Sequence, residues 1–255
     1  MKVYILHSKR LIKYMTAFIV IIAFILIAGY LRTNAIEVVS TSKELPIYSV
    51  DCSEKNVAIT FDCAWGADDI PEILSTLKKE DIKATFFIVG QWAEKFPQTV
   101  KMISDEGHDV GNHSFSHLRM GDLNAEKIRS EISTCDERLS EFTGQKINLF
   151  RPPYGDYNNS VINIAKELNY FTIQWDVDSL DWKPGITEEE ILKRVSSRVN
   201  NGSIILFHND TKHTAVILPD ILKALRMNGY GFLPVSKLIM KGNYYIDYTG
   251  RQKSR

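Results

Sequence analysis

Between residue 57 and residue 235, short apolar runs alternate with segments of helical period, and this alternation limits the fold more than any other feature. The strand-like runs are 57–61, 84–89, 109–111, 147–150, 170–175, 203–207 and 230–235. Helical sequence fills 69–80, the stretch that ends at Glu106, 124–142, 157–168, 187–199 and 214–227. In 124–142, Ile128, Ile132, Cys135, Leu139 and Phe142 recur at intervals of four, three, four and three, which is one stripe of a helix. Parallel strands need crossovers of this length, whereas antiparallel neighbours can be joined by a tight turn. No pair of runs resembles a hairpin, so the expected class is α/β: a distorted (β/α) barrel of about seven parallel strands, closed or nearly so.

The polar clusters stand where apolar runs end: Asp62-Cys63, His113 to His117, Arg151 to Gly155, Asp178 to Trp182, and His208. Chemistry on a parallel barrel gathers at the carboxyl ends of its strands. Scattered Asp, His and Arg residues at successive strand ends therefore build one site. Lys plus Arg and Asp plus Glu are both 31, so no global field recruits nucleic acid. Three cysteines, Cys52, Cys63 and Cys135, are too few for a disulfide framework, and Cys135 lies on a helical stripe as a small core residue. His7, His108 and His213 are read as bystanders.

From Met15 to Leu31 the chain is almost wholly apolar, with no charge between Lys13 and Arg32. A run of about 17–25 such residues can cross a bilayer. Lys2, Lys9, Arg10 and Lys13 precede it, which puts the N-terminus in the cytoplasm and the bulk of the chain outside. The expected organisation is a cytoplasmic N-terminus and transmembrane signal anchor in 1–35, a stem in 36–56, a catalytic domain in 57–240 and an unassigned tail in 241–255. A signal peptide cleaved near Thr33-Asn34-Ala35 is the competing reading.

His113 and His117, four apart, share a face if they lie on a helical turn and could then grip a divalent metal. Metal-assisted hydrolysis also needs a base for water and an acid for the leaving group. Asp62 suits the first role and His208 the second, with Asp178 raising the pKa of the acid. Arg151 can hold Asp62 ionised. The backbone N–H of Tyr154, stiffened by Pro152 and Pro153, can donate to an oxyanion. Trp175 and Trp182 offer an apolar wall for a sugar ring. Singly, each residue has a structural reading: Asp62 as a helix cap, Arg151 as a brace, Trp182 as core. Their joint order favours chemistry.

Those ordered clusters resemble the five motifs of the polysaccharide deacetylase family, the NodB-like carbohydrate esterases of family 4. The resemblance spans roughly residues 55–240. Phe61-Asp-Cys-Ala-Trp-Gly66 behind an anchor resembles the sporulation-associated PdaB branch. The resemblance implies a NodB homology domain, a divalent metal (zinc, or cobalt) and removal of N-acetyl groups from peptidoglycan amino sugars. It also implies an extracytoplasmic, single-pass membrane protein associated with the forespore. By motif, His113 and His117 are metal ligands, Asp62 is the base, Tyr154 the oxyanion donor and His208 the acid, tuned by Asp178.

One position departs from the family pattern. The second aspartate of the first motif, which completes the metal triad, is Cys63 here. As a thiolate Cys63 would be a third ligand. Otherwise it is inert packing, and the site keeps two histidines plus water or borrows Asp68 or Asp69. The departure motivates a second reading, a catalytically weak glycan-binding protein of the cell wall or spore. A third is an enzyme acting on xylan esters or a chitin-like polymer. The expected partners are the cell-wall glycan and the membrane, with no nucleic acid, and the chain is expected to be a monomer.

Overall fold

The computed structural model describes residues 8–33 and 43–255. Two units are present, one ending at Ser42 and one from Lys43 to Arg255. The first contains helix α1 (Ser8–Thr33). Its described side chains, those of 12–27, are all exposed. Among the described residues no helix is long and apolar enough to cross a membrane. The structure therefore does not establish the expected anchor. Residues 1–7 and 34–42, which hold the start of the chain and the first third of the expected stem, lie outside the described residues.

The second unit is a half-barrel. Its strands are β1 (Ser49–Val50), β2 (Asn56–Cys63), β3 (Thr85–Ile88), β4 (Asp109–Asn112), β5 (Leu149–Phe150), β6 (Phe171–Thr172), β7 (Val177–Asp178), β8 (Ile204–His208), β9 (Gly231–Phe232), β10 (Tyr244–Ile246) and β11 (Arg251–Ser254). Seven run side by side in the order β6-β5-β4-β3-β2-β8-β7, and β9 pairs with the start of β2. Every pairing in this sheet is parallel, as the alternation predicts. Each predicted run contains a strand. The exception is in the other direction: β7 has only two residues and no apolar run to announce it.

Around the sheet lie α2 (Ile70–Lys79), α3 (Gly90–Lys95), α4 (Pro97–Asp105), α5 (Ala125–Thr143), α6 (Asn159–Glu167), α7 (Glu188–Arg198), α8 (Thr214–Met227) and the short α9 (Val235–Leu238). Helix α5 starts where Asn124 Oδ1 accepts the Lys127 N–H at 2.8 Å and stops at Gly144, whose φ is 66°. Thr187 and Glu190 form a reciprocal capping box at the start of α7.

Strand β2 divides its side chains by alternation. Val57, Ile59, Phe61 and Cys63 join the cluster formed with the helices, whereas Ala58 belongs to the inner cluster. Thr60 and Asp62 continue the inner face and both meet Arg151. Burying side chains of this size contributes about 1.5–3 kcal/mol each.

The sheet is open between β6 and β7, and chain expected to be stem fills part of that opening. Ile47 donates its N–H to the Thr172 carbonyl at 2.9 Å and accepts from the Gln174 N–H at 2.7 Å. Ser49 bridges Ser203, and the Val50 N–H reaches the Gly202 carbonyl at 2.9 Å. A Cβ at Gly202 would lie 1.7 Å from the Val50 carbonyl oxygen, and its φ is +79°, so only glycine fits there. The unassigned tail is also structured. Strands β10 and β11 form an antiparallel hairpin, and β11 runs parallel to β1.

His108 is buried beside Phe86, and its Nδ1 accepts the Ala84 N–H at 3.1 Å. Burial, helped by Lys83, pushes its pKa from 6.5 down to about 4. Between those values the unfolded chain binds a proton that the folded chain refuses, so stability falls as pH drops from 6.5 towards 4 and levels off below. The expected loss from this residue is roughly 2–3 kcal/mol. Urea unfolding at pH 7 and pH 4.5 should show a smaller acid loss for His108→Asn than for wild type. Equal losses would remove His108 from the account.

Candidate active site

Strands β2 and β8 lie in register so that Asp62 and His208 are direct partners at their carboxyl ends. Asp62 is almost fully buried, and Arg151 is completely so. Arg151 Nη1 donates to Asp62 Oδ1 at 2.7 Å and to Thr60 Oγ1 at 2.9 Å, and Nη2 donates to the Gln174 carbonyl at 3.1 Å. The guanidinium lies over Phe87 at 4.0 Å and near Trp175 at 5.5 Å. Burial pushes the Asp62 carboxyl up, but Arg151, then His113 and His208, outweigh it and hold the carboxyl below its ordinary range. Asp62 is ionised and oriented, and one of its oxygens is committed to Arg151.

The carboxylate that holds His208 is Asp181. Its Oδ1 lies 2.8 Å from His208 Nδ1, and its Oδ2 accepts the His208 N–H and the Thr214 hydroxyl, both at 2.6 Å. Asp178, expected in this role, instead accepts the Leu180 N–H at 2.8 Å through Oδ1. The sequence offers two aspartates three apart, and β7 decides between them. Asp178 is still within the strand, while Asp181 lies beyond a turn in which Leu180 takes a φ of 62°. Burial pushes the His208 pKa down, but Asp181, and more weakly Asp62 and Asp178, raise it above its ordinary value. Thr214 is a further partner that sequence reading missed; a hydroxyl at a helix start looks like a cap.

His113 and His117 come together, with ring centroids 5.1 Å apart, but not on a helical turn. No helix covers 113–117. Ser114 and His117 both have left-handed backbones, with φ of 63° and 55°. The loop is pinned by Asn112 Oδ1 accepting the Ser114 N–H (2.9 Å), by Ser114 Oγ accepting the His117 N–H (3.0 Å) and by buried Glu131 accepting the Ser116 N–H (2.7 Å). His113 Nδ1 lies 2.7 Å from the Arg151 carbonyl, which can only accept, so the proton is on Nδ1. Its Nε2 faces Asp62 Oδ2 at 3.5 Å. Burial lowers the pKa of His113, and burial followed by His113 lowers that of His117 to about 4, so both imidazoles are neutral donors near pH 7.

Tyr154 has φ 60° and ψ 9°, a left-handed conformation that costs a residue of this size on the order of 1–3 kcal/mol. Its hydroxyl lies 3.1 Å from His117 Nδ1, a contact additional to the backbone role expected for it. Trp182 is 54% exposed, and Trp175 is half-buried beside Arg151.

Two neutral imidazoles suit a divalent cation, but the third donor fails. Cys63 is fully buried in the cluster that faces the helices, on the opposite side of β2 from Asp62. Burial, with Asp62 and Asp69 nearby, pushes its thiol well above the ordinary value, the reverse of what a thiolate ligand requires. Asp69, a possible substitute, accepts the Asp210 N–H at 2.9 Å. Asp68 is exposed. Among the described residues no three His, Cys, Asp or Glu side chains gather into a set that could hold an ion. The residues present do not fit a three-donor metal site.

Comparison with known proteins places the chain in a family. A sequence profile of polysaccharide deacetylase matches residues 49–173. The peptidoglycan-N-acetylmuramic acid deacetylase PdaA of Bacillus subtilis is 33% identical over 199 residues, which cover 76% of this chain and 75% of that protein. The chain belongs to the polysaccharide deacetylase family. A peptidoglycan-N-acetylglucosamine deacetylase of Bacillus cereus is 38% identical over 162 residues, or 64% of this chain and 58% of that relative. The chain thus spans 58% and 60% of the length of two curated relatives. The solved structure of BA3943, a CE4 family pseudoenzyme from Bacillus anthracis, matches with a TM-score of 0.74 and 32% identity, covering 82% of this chain and 73% of that one. In this member of the family the NodB-like sheet places Asp62, Arg151, His113, His117 and His208 in one neighbourhood.

Proposed function

We propose that the chain removes N-acetyl groups from the amino sugars of peptidoglycan, with its turnover limited by Cys63. The observation that carries this reading is the in-register pair Asp62 and His208, each in contact with its own counter-ion, which favours the charged form that hydrolysis needs. Asp62, ionised by Arg151, takes a proton from the attacking water. The Tyr154 N–H stabilises the oxyanion that forms on the acetamide carbonyl. His208, protonated with the support of Asp181, gives its proton to the departing amine as the C–N bond breaks. Acetate and a free amino group result. Zinc or cobalt would meet only the imidazoles of His113 and His117 as protein donors here.

The relatives named as peptidoglycan deacetylases support the choice of polymer. We also propose that the folded unit works outside the cytoplasm, on the strength of Lys9, Arg10 and Lys13 ahead of the apolar run, and that it serves sporulation, on the resemblance of Phe61 to Gly66 alone. Protease added to intact cells should digest a tag placed after Arg255; a protected tag would refute the outside placement.

A second reading, glycan binding without efficient catalysis, is favoured by the buried Cys63 and is consistent with the pseudoenzyme relative. Acetate release from peptidoglycan oligomers by the purified full chain separates the two. Slow release that stops on Asp62→Asn supports the enzyme, while tight binding with no release supports the second reading. Because position 63 faces the helices, Cys63→Asp should leave zinc affinity within about threefold of wild type in competition with a chromophoric chelator, and should lower stability by burying a carboxylate without a partner. A tenfold gain in zinc affinity would show that position 63 can turn towards the ion.

A further inference from the structure

Two tryptophans stay open beside the site, and Trp65 is the more exposed of them. It is 65% exposed, and its ring stands edge-on to His117 at 5.8 Å between centroids. An indole that completes a core is covered; this one is held out in solvent by a latch behind it. The N–H of Gly66 donates to Asp210 Oδ2 at 3.0 Å. The Gly66 carbonyl accepts from Trp92 Nε1 at 2.9 Å and from Asn209 Nδ2. The Asp210 N–H is in turn tied to Asp69. A Cβ at Gly66 would lie 2.6 Å from Asp210 Oδ1, so a side chain there would prise the latch open. The backbone that carries Trp65 is therefore fixed before any ligand arrives, which lowers the ordering cost of binding.

Tyr154, another exposed ring at the mouth, is less available. It is 56% exposed, but the Arg119 guanidinium lies 5.0 Å over its ring and its hydroxyl is engaged by His117. Among the described residues no cation lies over Trp65. A bare indole face beside a polar site suits a ligand with one apolar side and hydroxyls elsewhere, which is the C–H face of a pyranose. Trp65 meets His117, His117 meets His113 and His113 faces Asp62, so two imidazoles stand along the contacts that lead from the indole to the base.

We propose that Trp65 is the stacking platform for a neighbouring pyranose of the glycan, so that the protein grips an oligomer and not a single sugar. This rests on the deacetylase reading, which supplies the polymer.

Isothermal titration of the full chain with the tetrasaccharide of β-1,4-linked N-acetylglucosamine tests it. Trp65→Ala should weaken binding at least tenfold, Trp65→Phe should stay within about threefold of wild type, and neither should move the thermal midpoint, because the side chain is exposed. Trp65→Ala binding within threefold of wild type overturns the platform and leaves the deacetylase reading standing. Equal weakening by Ala and Phe also overturns it, since a phenyl face still stacks. If wild type itself fails to bind, both ideas fall together.

Discussion

Arg151→Met should lower the stability of the unit 43–255 by roughly 3–5 kcal/mol, the cost of leaving a buried carboxylate without its partner. Arg151 is fully buried and makes three side-chain hydrogen bonds, one of them to Asp62. Methionine can still cover Phe87, so the loss is chiefly electrostatic. With the guanidinium gone, burial dominates Asp62 and raises its pKa, so the base becomes protonated nearer neutrality and turnover falls with stability. Thermal unfolding should show a midpoint lower by about 10 °C for a unit of this size. Adding Asp62→Asn to Arg151→Met should restore part of the loss, because it removes the uncompensated charge. A single variant within 1 kcal/mol of wild type would show that the pair is worth no more than a surface contact.

Asp181→Asn should reduce acetate release by about 10²–10⁴-fold, the usual range for losing a positioned general acid. His208 is raised above 6.5 chiefly through Asp181, so wild type holds its imidazolium to higher pH than a free histidine would and loses activity as pH climbs through the raised pKa. In Asp181→Asn burial is no longer opposed by that charge, and the alkaline limb should move to lower pH. Stability carries the same sign: the support that Asp181 and His208 give each other is full below about pH 6.5 and fades as pH rises through the raised value. NMR titration of the His208 ring reads this shift without relying on turnover. Asp178→Asn should move the His208 titration only slightly, since its side-chain oxygen serves Leu180. A larger effect at 178 than at 181 would reverse the assignment.

Much of this arrangement was legible in the residues. Parallel alternation put Asp62, Arg151 and His208 at strand ends, and the structure brings them together. Alternation could also have placed Cys63, because Thr60 and Asp62 share a face of β2 and the next residue must turn away. What stayed hidden depends on short or irregular backbone. The choice of Asp181 over Asp178 hangs on a two-residue strand, and the approach of His113 to His117 hangs on left-handed residues in a loop. Neither leaves a periodic trace in sequence. Strands β1, β10 and β11 were missed for a related reason: each is two to four residues long, and β1 and β11 gain their mutual pairing from chain about two hundred residues apart.

Those last strands also bear on how this unit can be cut or recombined. Residues near 47–50 and near 251–254 are about two hundred positions apart, yet they zip together beside an otherwise bare margin of the sheet. A fragment trimmed to 57–240 would shed both partners at once and uncover unpaired amide edges that invite self-association. Chimeras that exchange the front of the unit therefore need to exchange its final hairpin as well.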